Sequence, residues 1–318
     1  MKPPFSQIDA AGRLRHLVTL DGLPRPLLED LLVRADVLAA KPARSETLRG
    51  FTVANLFGEP STRTRASFEL AALRQGAEVV NFDNTLSSRA KGETLVDTAH
   101  TLLAMPVDIF VIRDGAPGVL EQVARAVDGQ ASVVSAGEAH ISHPTQGLLD
   151  ALTIRQLKGD LGGLSVAIVG DIARSRVARS AHRAFATLGV PDIRIVAPPT
   201  MMPDAAEFEG SRRFQTLDDG IAGADVVMML RIQHERAGGG PVDVEAYHRD
   251  FGLTAARLAR AAPKAIDMHP GPMNRGVEID PDVADGPQSA IRRQVANGVA
   301  VRMAVLEQLA AARPVRAT

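Results

Sequence analysis

Glu59-Pro60-Ser61-Thr62-Arg63-Thr64-Arg65 places hydroxyl and guanidinium groups side by side, just after the apolar stretch from Phe51 to Phe57. The spacing that follows predicts an amphipathic helix starting at Ser61, a residue type well suited to an N-cap. The first turn of such a helix offers unpaired backbone N–H groups and the positive end of its dipole. Hydroxyls and forked Arg donors at the same end would let a tetrahedral oxyanion be held by backbone and side chains together, phosphate being the first candidate. A capped surface helix with ordinary basic residues is the competing reading, and the short motif alone does not decide between them.

Other polar residues fall at the ends of predicted strands. Arg113 follows Val111-Ile112, His143 follows Val133-Val134, and Gly170-Asp171 follows Ala167-Ile168-Val169. Arg231 and Gln233 follow Met228-Met229-Leu230, and His269-Pro270-Gly271-Pro272 follows Ile266. Ligands of parallel sheets bind beyond the carboxyl ends of strands, so one cleft is expected to collect these groups. Singly they are weak signals: a lone His before Pro is commonly structural, and a strand-end Arg is commonly solvated. Gly170-Asp171 lacks G-x-G-x-x-G spacing and gives no ground for a dinucleotide, while Lys91 reads equally as a loop lysine ahead of a capped helix.

The elements that must carry these residues alternate. Strands are predicted at Thr52–Phe57, Glu78–Phe82, Asp108–Ile112 and Ser132–Ser135, with helices over 26–40, 61–75, 94–104 and 118–127. A second series has strands at Ser165–Gly170, Asp192–Val196, Val226–Leu230 and Ala265–Met268, with helices over 176–188, 218–223 and 254–261. Pro144 at a first helical turn opens an interdomain helix, and Val295, Val299, Met303, Leu306 and Leu309 share one face of a long helix across 289–311. The fold class is therefore α/β, with two doubly wound parallel-sheet domains joined by interdomain helices. Residues 1–143 form the first domain, onto which the helix of 293–318 packs back, and 144–292 form the second. Loops at 87–92 and 238–240 are the expected mobile segments.

Composition bounds the function. The 318 residues exceed the usual size of a single core, and 45% apolar with 23% charged residues is ordinary for a globular enzyme. A net charge of −1 leaves no field to attract nucleic acid or an anionic membrane, so anion binding must be local. Zero cysteines exclude disulfides, thiolate metal sites and a cysteine nucleophile, and fit a reducing cytoplasm. The chain shows neither a signal-peptide core at Met1 to Asp21 nor an apolar run of membrane-spanning length.

Taken together, Ser61-Thr62-Arg63-Thr64-Arg65, Lys91-Gly92-Glu93-Thr94, His143-Pro144-Thr145-Gln146 and His269-Pro270-Gly271-Pro272-Met273-Asn274-Arg275-Gly276 resemble the aspartate/ornithine carbamoyltransferase family over residues 10–312. Arg231-Ile232-Gln233, Lys91 after Ser87-Ser88, and the absence of cysteine are similar to its aspartate-using branch. The resemblance implies transfer of the carbamoyl group of carbamoyl phosphate to the α-amino group of L-aspartate, an early step of pyrimidine biosynthesis, with no cofactor or metal required. It implies that Ser61, Thr62, Arg63 and Thr64 hold the phosphate and that Thr64, Arg113 and His143 meet the carbonyl oxygen. Gln146 and the backbone of Gly271 and Pro272 would orient the carbamoyl amide and incoming amine. Lys91, Arg176, Arg231 and Gln233 would bind aspartate, with Ser87 and Lys91 entering from an adjacent subunit of a trimer.

The chain departs from the family pattern at Gly58, at Asp114 beside Arg113, and across Gly137-Glu138-Ala139-His140-Ile141-Ser142. Gly58 is expected to loosen the strand end, and Asp114 to compete for Arg113. A carbamoyltransferase for another amine and a non-catalytic assembly paralogue are the alternatives. The sequence leaves open a bare trimer, an assembly of trimers, and regulatory or dihydroorotase-like partner chains.

Overall fold

Short runs rich in Val, Ile and Leu become strands, and the amphipathic segments between them become helices, across the residues that the computed structural model describes: 5–40, 44–83, 92–232 and 243–313. The chain divides into two units, Met1–Leu148 with Asn297–Thr318, and Leu149–Ala296. The division lies at 148/149 and 296/297, inside two continuous helices, where the sequence reading put it at 143/144 and 292/293.

In the first unit, α1 (Arg25–Ala40) precedes β1 (Thr52–Phe57), α2 (Thr62–Arg74), β2 (Glu78–Asp83), α3 (Leu95–Leu103), β3 (Ile109–Asp114), α4 (Val119–Val127) and β4 (Ser132–Glu138). The strands are parallel in the order β2-β1-β3-β4. Ala54, Leu56, Phe110, Ile112 and Val133 pack with Leu102 of α3 and Val123 and Val127 of α4 in one buried cluster. Being covered on their faces, the central strands read as nearly unbroken apolar runs instead of alternating ones. α3 starts at a capping box in which Thr94 Oγ1 accepts the Asp97 amide at 3.1 Å and Asp97 answers to the Thr94 amide at 3.3 Å.

The second unit is entered along α5 (Pro144–Lys158), followed by β5 (Ser165–Val169), α6 (Arg176–Leu188), β6 (Asp192–Val196), β7 (Arg212–Phe214), α7 (Leu217–Ile221) and β8 (Val226–Met229). After these come α8 (Val244–Phe251), α9 (Ala255–Leu258), β9 (Ile266–Met268), α10 (Pro281–Ala284) and α11 (Ile291–Ala311), with parallel strand order β7-β6-β5-β8-β9. In each sheet the direction of strand addition reverses once, between β1 and β3 and between β5 and β8. These are the topological switch points at which open α/β sheets bind ligands.

Several elements differ from the sequence reading. β7 was not expected, because Arg212 and Arg213 are exposed and carry no apolar signal on what is a three-residue edge strand. α8 was not expected either; it starts where Asp243 accepts the Ala246 amide at 2.9 Å. β3 and β4 run past Ile112 and Ser135 to pair Asp114 with Glu138, since a parallel ladder continues through polar residues when backbone partners persist.

Asp267, the middle residue of β9, is fully buried, and burial pushes its carboxyl up to about 6 from 3.8. The folded state therefore holds this proton more tightly than the unfolded chain, so the contribution of this group to stability is fully present below about pH 4 and is lost as pH rises through about 6. Asp267→Asn is expected to be more stable than the parent by about 2–3 kcal/mol at pH 7.5, with the gain vanishing near pH 4. Paired urea unfolding curves at the two pH values check this; a gain that does not change with pH would refute the assignment to ionisation.

Candidate active site

The predicted anion-binding segment lies where β1 gives way to α2. Ser61 stands at the N-cap position, yet with φ −161° and ψ 88° its side chain makes no capping hydrogen bond. This corrects the expectation that its hydroxyl closes the helix: the backbone carbonyl alone does so, accepting the Arg65 amide at 3.1 Å. No capping hydroxyl then occupies the first-turn amides, which are the groups an anion would use. Thr62 and Arg63 are exposed, whereas Thr64 is buried behind them.

Arg113 is the fifth residue of β3 and lies opposite Phe57 of β1. Its Nη1 donates to the Ala136 carbonyl at 3.2 Å, and its Nε lies 3.4 Å from Glu59 Oε2. Glu59 was quoted in the sequence motif without a role. Its position two residues ahead of an anion-binding helix was the available signal, because a carboxylate there needs a cation to share. The strand end at Gly58 is tied, not loosened: the Gly58 amide donates to the Arg113 carbonyl at 2.8 Å. Asp114 is buried and accepts the Ala116 amide at 2.9 Å, as an Asx-type turn does. Successive strand residues face opposite ways, so the carboxylate placed against the Arg113 guanidinium is that of Glu59.

His143 is delivered by a tight turn. The Glu138 amide donates to the Ser142 carbonyl at 2.8 Å, the Ile141 amide returns to the Glu138 carbonyl at 2.9 Å, and Ala139 takes the left-handed φ of 43°. His143 then caps α5 with its carbonyl, which accepts the Gln146 amide at 2.9 Å, and both side chains are buried. Glu138 supports this turn through its carboxylate, which accepts the Leu120 amide at 3.2 Å where Gly118 gives α4 no side-chain cap. Burial raises the Glu138 carboxyl above its ordinary range, with Asp114 and Glu121 adding to it and the Leu120 and Gly118 amides opposing. Glu138→Ala should cost about 1–3 kcal/mol by leaving first-turn amides of α4 unpaired, and thermal melts measure it. Glu138→Gln keeps an acceptor and should lose less.

Ser61 to Thr64 thus follow β1, Arg113 lies in the last pleat of β3, and His143 with Gln146 follow β4; the three strands are neighbours in the sheet, and β1 and β3 flank its switch point. The groups of the second unit follow the same rule. Gly170 ends β5 with φ +134°, and a Cβ there would lie 3.0 Å from the Leu230 carbonyl oxygen, so only glycine lets the ends of β5 and β8 approach. Burial raises the next residue, Asp171, above the ordinary carboxylate range, and Arg174 at 3.2 Å opposes this. Ser175 caps α6 by accepting the Ala178 amide at 3.0 Å, which places Arg176 in the first turn, where it is buried. Arg231 follows β8, and Gly271 and Pro272 follow β9, joined by a cis peptide with Gly271 at φ 66°. β5, β8 and β9 are adjacent in the second sheet. Ser87, Lys91 and Gln233 lie outside the described residues.

The profile of the aspartate/ornithine carbamoyltransferase carbamoyl-phosphate-binding domain matches residues 15–156, and that of the Asp/Orn-binding domain matches 162–309. The chain belongs to the aspartate/ornithine carbamoyltransferase family. Within this carbamoyltransferase family, it is 52% identical over 309 residues to the aspartate carbamoyltransferase catalytic subunit of Xanthomonas campestris pv. campestris, covering 95% of this chain and 98% of that one. A solved aspartate transcarbamoylase of Trypanosoma cruzi, in complex with carbamoyl aspartate and phosphate, superposes with a TM-score of 0.86 at 29% identity, over 95% of this chain and 98% of that one. An ornithine carbamoyltransferase from Thermus thermophilus gives 0.84 at 26%, over 93% and 98%. The carbamoyltransferase fold alone therefore does not separate the aspartate from the ornithine branch; the side chains must. Among the described residues of this family member, no helix is long and apolar enough to cross a membrane.

Proposed function

We propose that the chain transfers the carbamoyl group of carbamoyl phosphate to the α-amino group of L-aspartate, giving N-carbamoyl-L-aspartate and phosphate for pyrimidine biosynthesis. The reading is supported by the 52% identity to an aspartate carbamoyltransferase catalytic subunit, and the observation that carries the choice of acceptor is the presence of two guanidinium groups, Arg176 in the first turn of α6, which follows β5, and Arg231 just after the adjacent strand β8. An acceptor with two carboxylates matches two guanidinium forks, each suited to bidentate contact with one carboxylate.

In this reading Ser61, Thr62, Arg63 and Thr64 take the phosphate on the α2 first turn. The amine nitrogen attacks the carbonyl carbon, and the C=O electron pair moves onto oxygen, where Thr64, Arg113 and His143 meet the growing charge. Collapse of the tetrahedral species breaks the C–O bond to phosphate, which leaves with the electron pair of that bond and takes up the proton that the attacking amine loses. Glu59 keeps the Arg113 guanidinium oriented before substrate arrives. Gln146 and the backbone of Gly271 and Pro272 orient the carbamoyl amide and the amine, and Gln233 and Lys91 join Arg176 and Arg231 on aspartate. Catalysis is then positioning and preorganised charge, the terms that supply most of the rate in acyl transfer. The working form is a homotrimer in which Ser87 and Lys91 serve a neighbouring subunit, and light scattering on the purified chain should return the mass of three copies.

The deciding experiment gives the purified chain carbamoyl phosphate with L-aspartate, ornithine, N-acetylornithine, putrescine or no acceptor, and follows phosphate and carbamoylated product. Aspartate-dependent product is expected. Transfer to another of these amines in preference to aspartate would overturn the reading.

A further inference from the structure

We propose that His269 is a positioning residue whose Nδ1 sets the Gly271–Pro272 backbone for the reaction, while its Nε2 serves only to anchor the ring. The side chain is buried at the end of β9, and Nδ1 accepts the Gly271 amide at 2.8 Å. A ring nitrogen that accepts an N–H carries no proton, so the ring proton lies on Nε2, which donates to Glu278 Oε1 at 3.1 Å. Glu278 is itself fully buried, and the same Oε1 accepts the Asn274 amide at 2.6 Å. Asn274 Nδ2 reaches the Ile232 carbonyl at 3.4 Å, next to Arg231. On the other side the His269 amide donates to Gln294 Oε1 at 2.9 Å, and Gln294 Nε2 donates to Asp150 Oδ1 at 2.8 Å.

The segment from His269 to Asn274 is therefore clamped at both ends, while Gly271 and Pro272 between the clamps remain accessible. A buried His–Glu pair of ordinary structural purpose would need only the Nε2 contact. The Nδ1 contact does something different: it fixes the direction of the Gly271 peptide, and a backbone group misplaced by about 1 Å at a reacting centre costs on the order of 10²-fold in rate.

The two contacts can be separated, because Asn places its Oδ1 near the position of Nδ1 and Gln places its amide near that of Nε2. This inference rests on the reading that the Gly271 and Pro272 backbone touches substrate. The parental chain is therefore assayed first for carbamoyl aspartate, and a lack of product there counts against the proposed function, not against His269. With an active parent, kcat, KM and melting midpoint are measured for H269N and H269Q, at a temperature well below each midpoint. H269N is expected to melt lower, having lost Glu278, yet to keep kcat within about threefold. H269Q is expected to melt closer to the parent but to lose kcat by about 10–100-fold. If H269N does not fold, H269S supplies an Oγ acceptor for the same amide and takes its place. Equal losses of kcat in the two classes of variant, or activity that follows the melting midpoint, would reduce His269 to fold support and overturn the proposal.

Discussion

Arg113→Ala should lower kcat by about 10²–10³-fold while leaving the KM for aspartate nearly unchanged. The guanidinium sits at the carboxyl end of β3, its Nη1 on the Ala136 carbonyl at 3.2 Å and its Nε 3.4 Å from Glu59. In the proposed reaction those contacts would hold it still beforehand, so that its interaction with the carbonyl oxygen strengthens as charge develops without reorganisation. An interaction made chiefly in the transition state leaves ground-state binding alone when removed, which is why the loss belongs in kcat. Arg113→Lys should recover only part of the rate, since an ammonium cannot keep Glu59, Ala136 and substrate at once. Steady-state kinetics with varied carbamoyl phosphate and aspartate check this, alongside melting to show that the fold survives. Turnover equal to the parent would remove Arg113 from the mechanism.

Arg176→Ala should lower kcat/KM for aspartate by about 10²–10³-fold, with the KM for carbamoyl phosphate little changed. The residue is buried in the first turn of α6, where its charge is weakly screened; if it holds an aspartate carboxylate as proposed, its removal desolvates that group without compensation. The same substitution tests substrate choice, because an enzyme for a monocarboxylate amine would not need both Arg176 and Arg231. An unchanged preference for aspartate over ornithine in Arg176→Ala would move the specificity elsewhere.

Much of this was readable in the chain. The parallel α/β class follows from apolar runs alternating with amphipathic segments, and Ser61 to Thr64, His143, Arg231 and Gly271 were each placeable after a strand because strand ends are marked by a change from apolar to polar residues, whereas Arg113, expected after its strand, lies within β3. What could not be read has particular causes. The three residues of β7 have no apolar pattern, and the extension of β3 and β4 to Asp114 and Glu138 depends on ladder pairing between segments 24 residues apart, 114 to 138. Which cation Glu59 meets was not readable because it comes from the proximity of β1 to β3, and the role of Glu138 was hidden because its partner amide lies 18 residues earlier.

Sequence alone determined the chemistry on offer: an anion-binding helix start, guanidinium forks, and a family resemblance carried by local motifs. Local motifs survive in sequence because their geometry is made by neighbours along the chain. Only the tertiary structure decided which of those groups lie on adjacent strands, where the two switch points fall, that the Ser61 side chain does not cap its helix, and that His269 turns one nitrogen to Gly271 and the other to Glu278. Strand order and hydrogen-bond partners join residues distant in the chain, and the free energy that selects among such pairings is the burial of the whole core, which no short stretch of sequence contains.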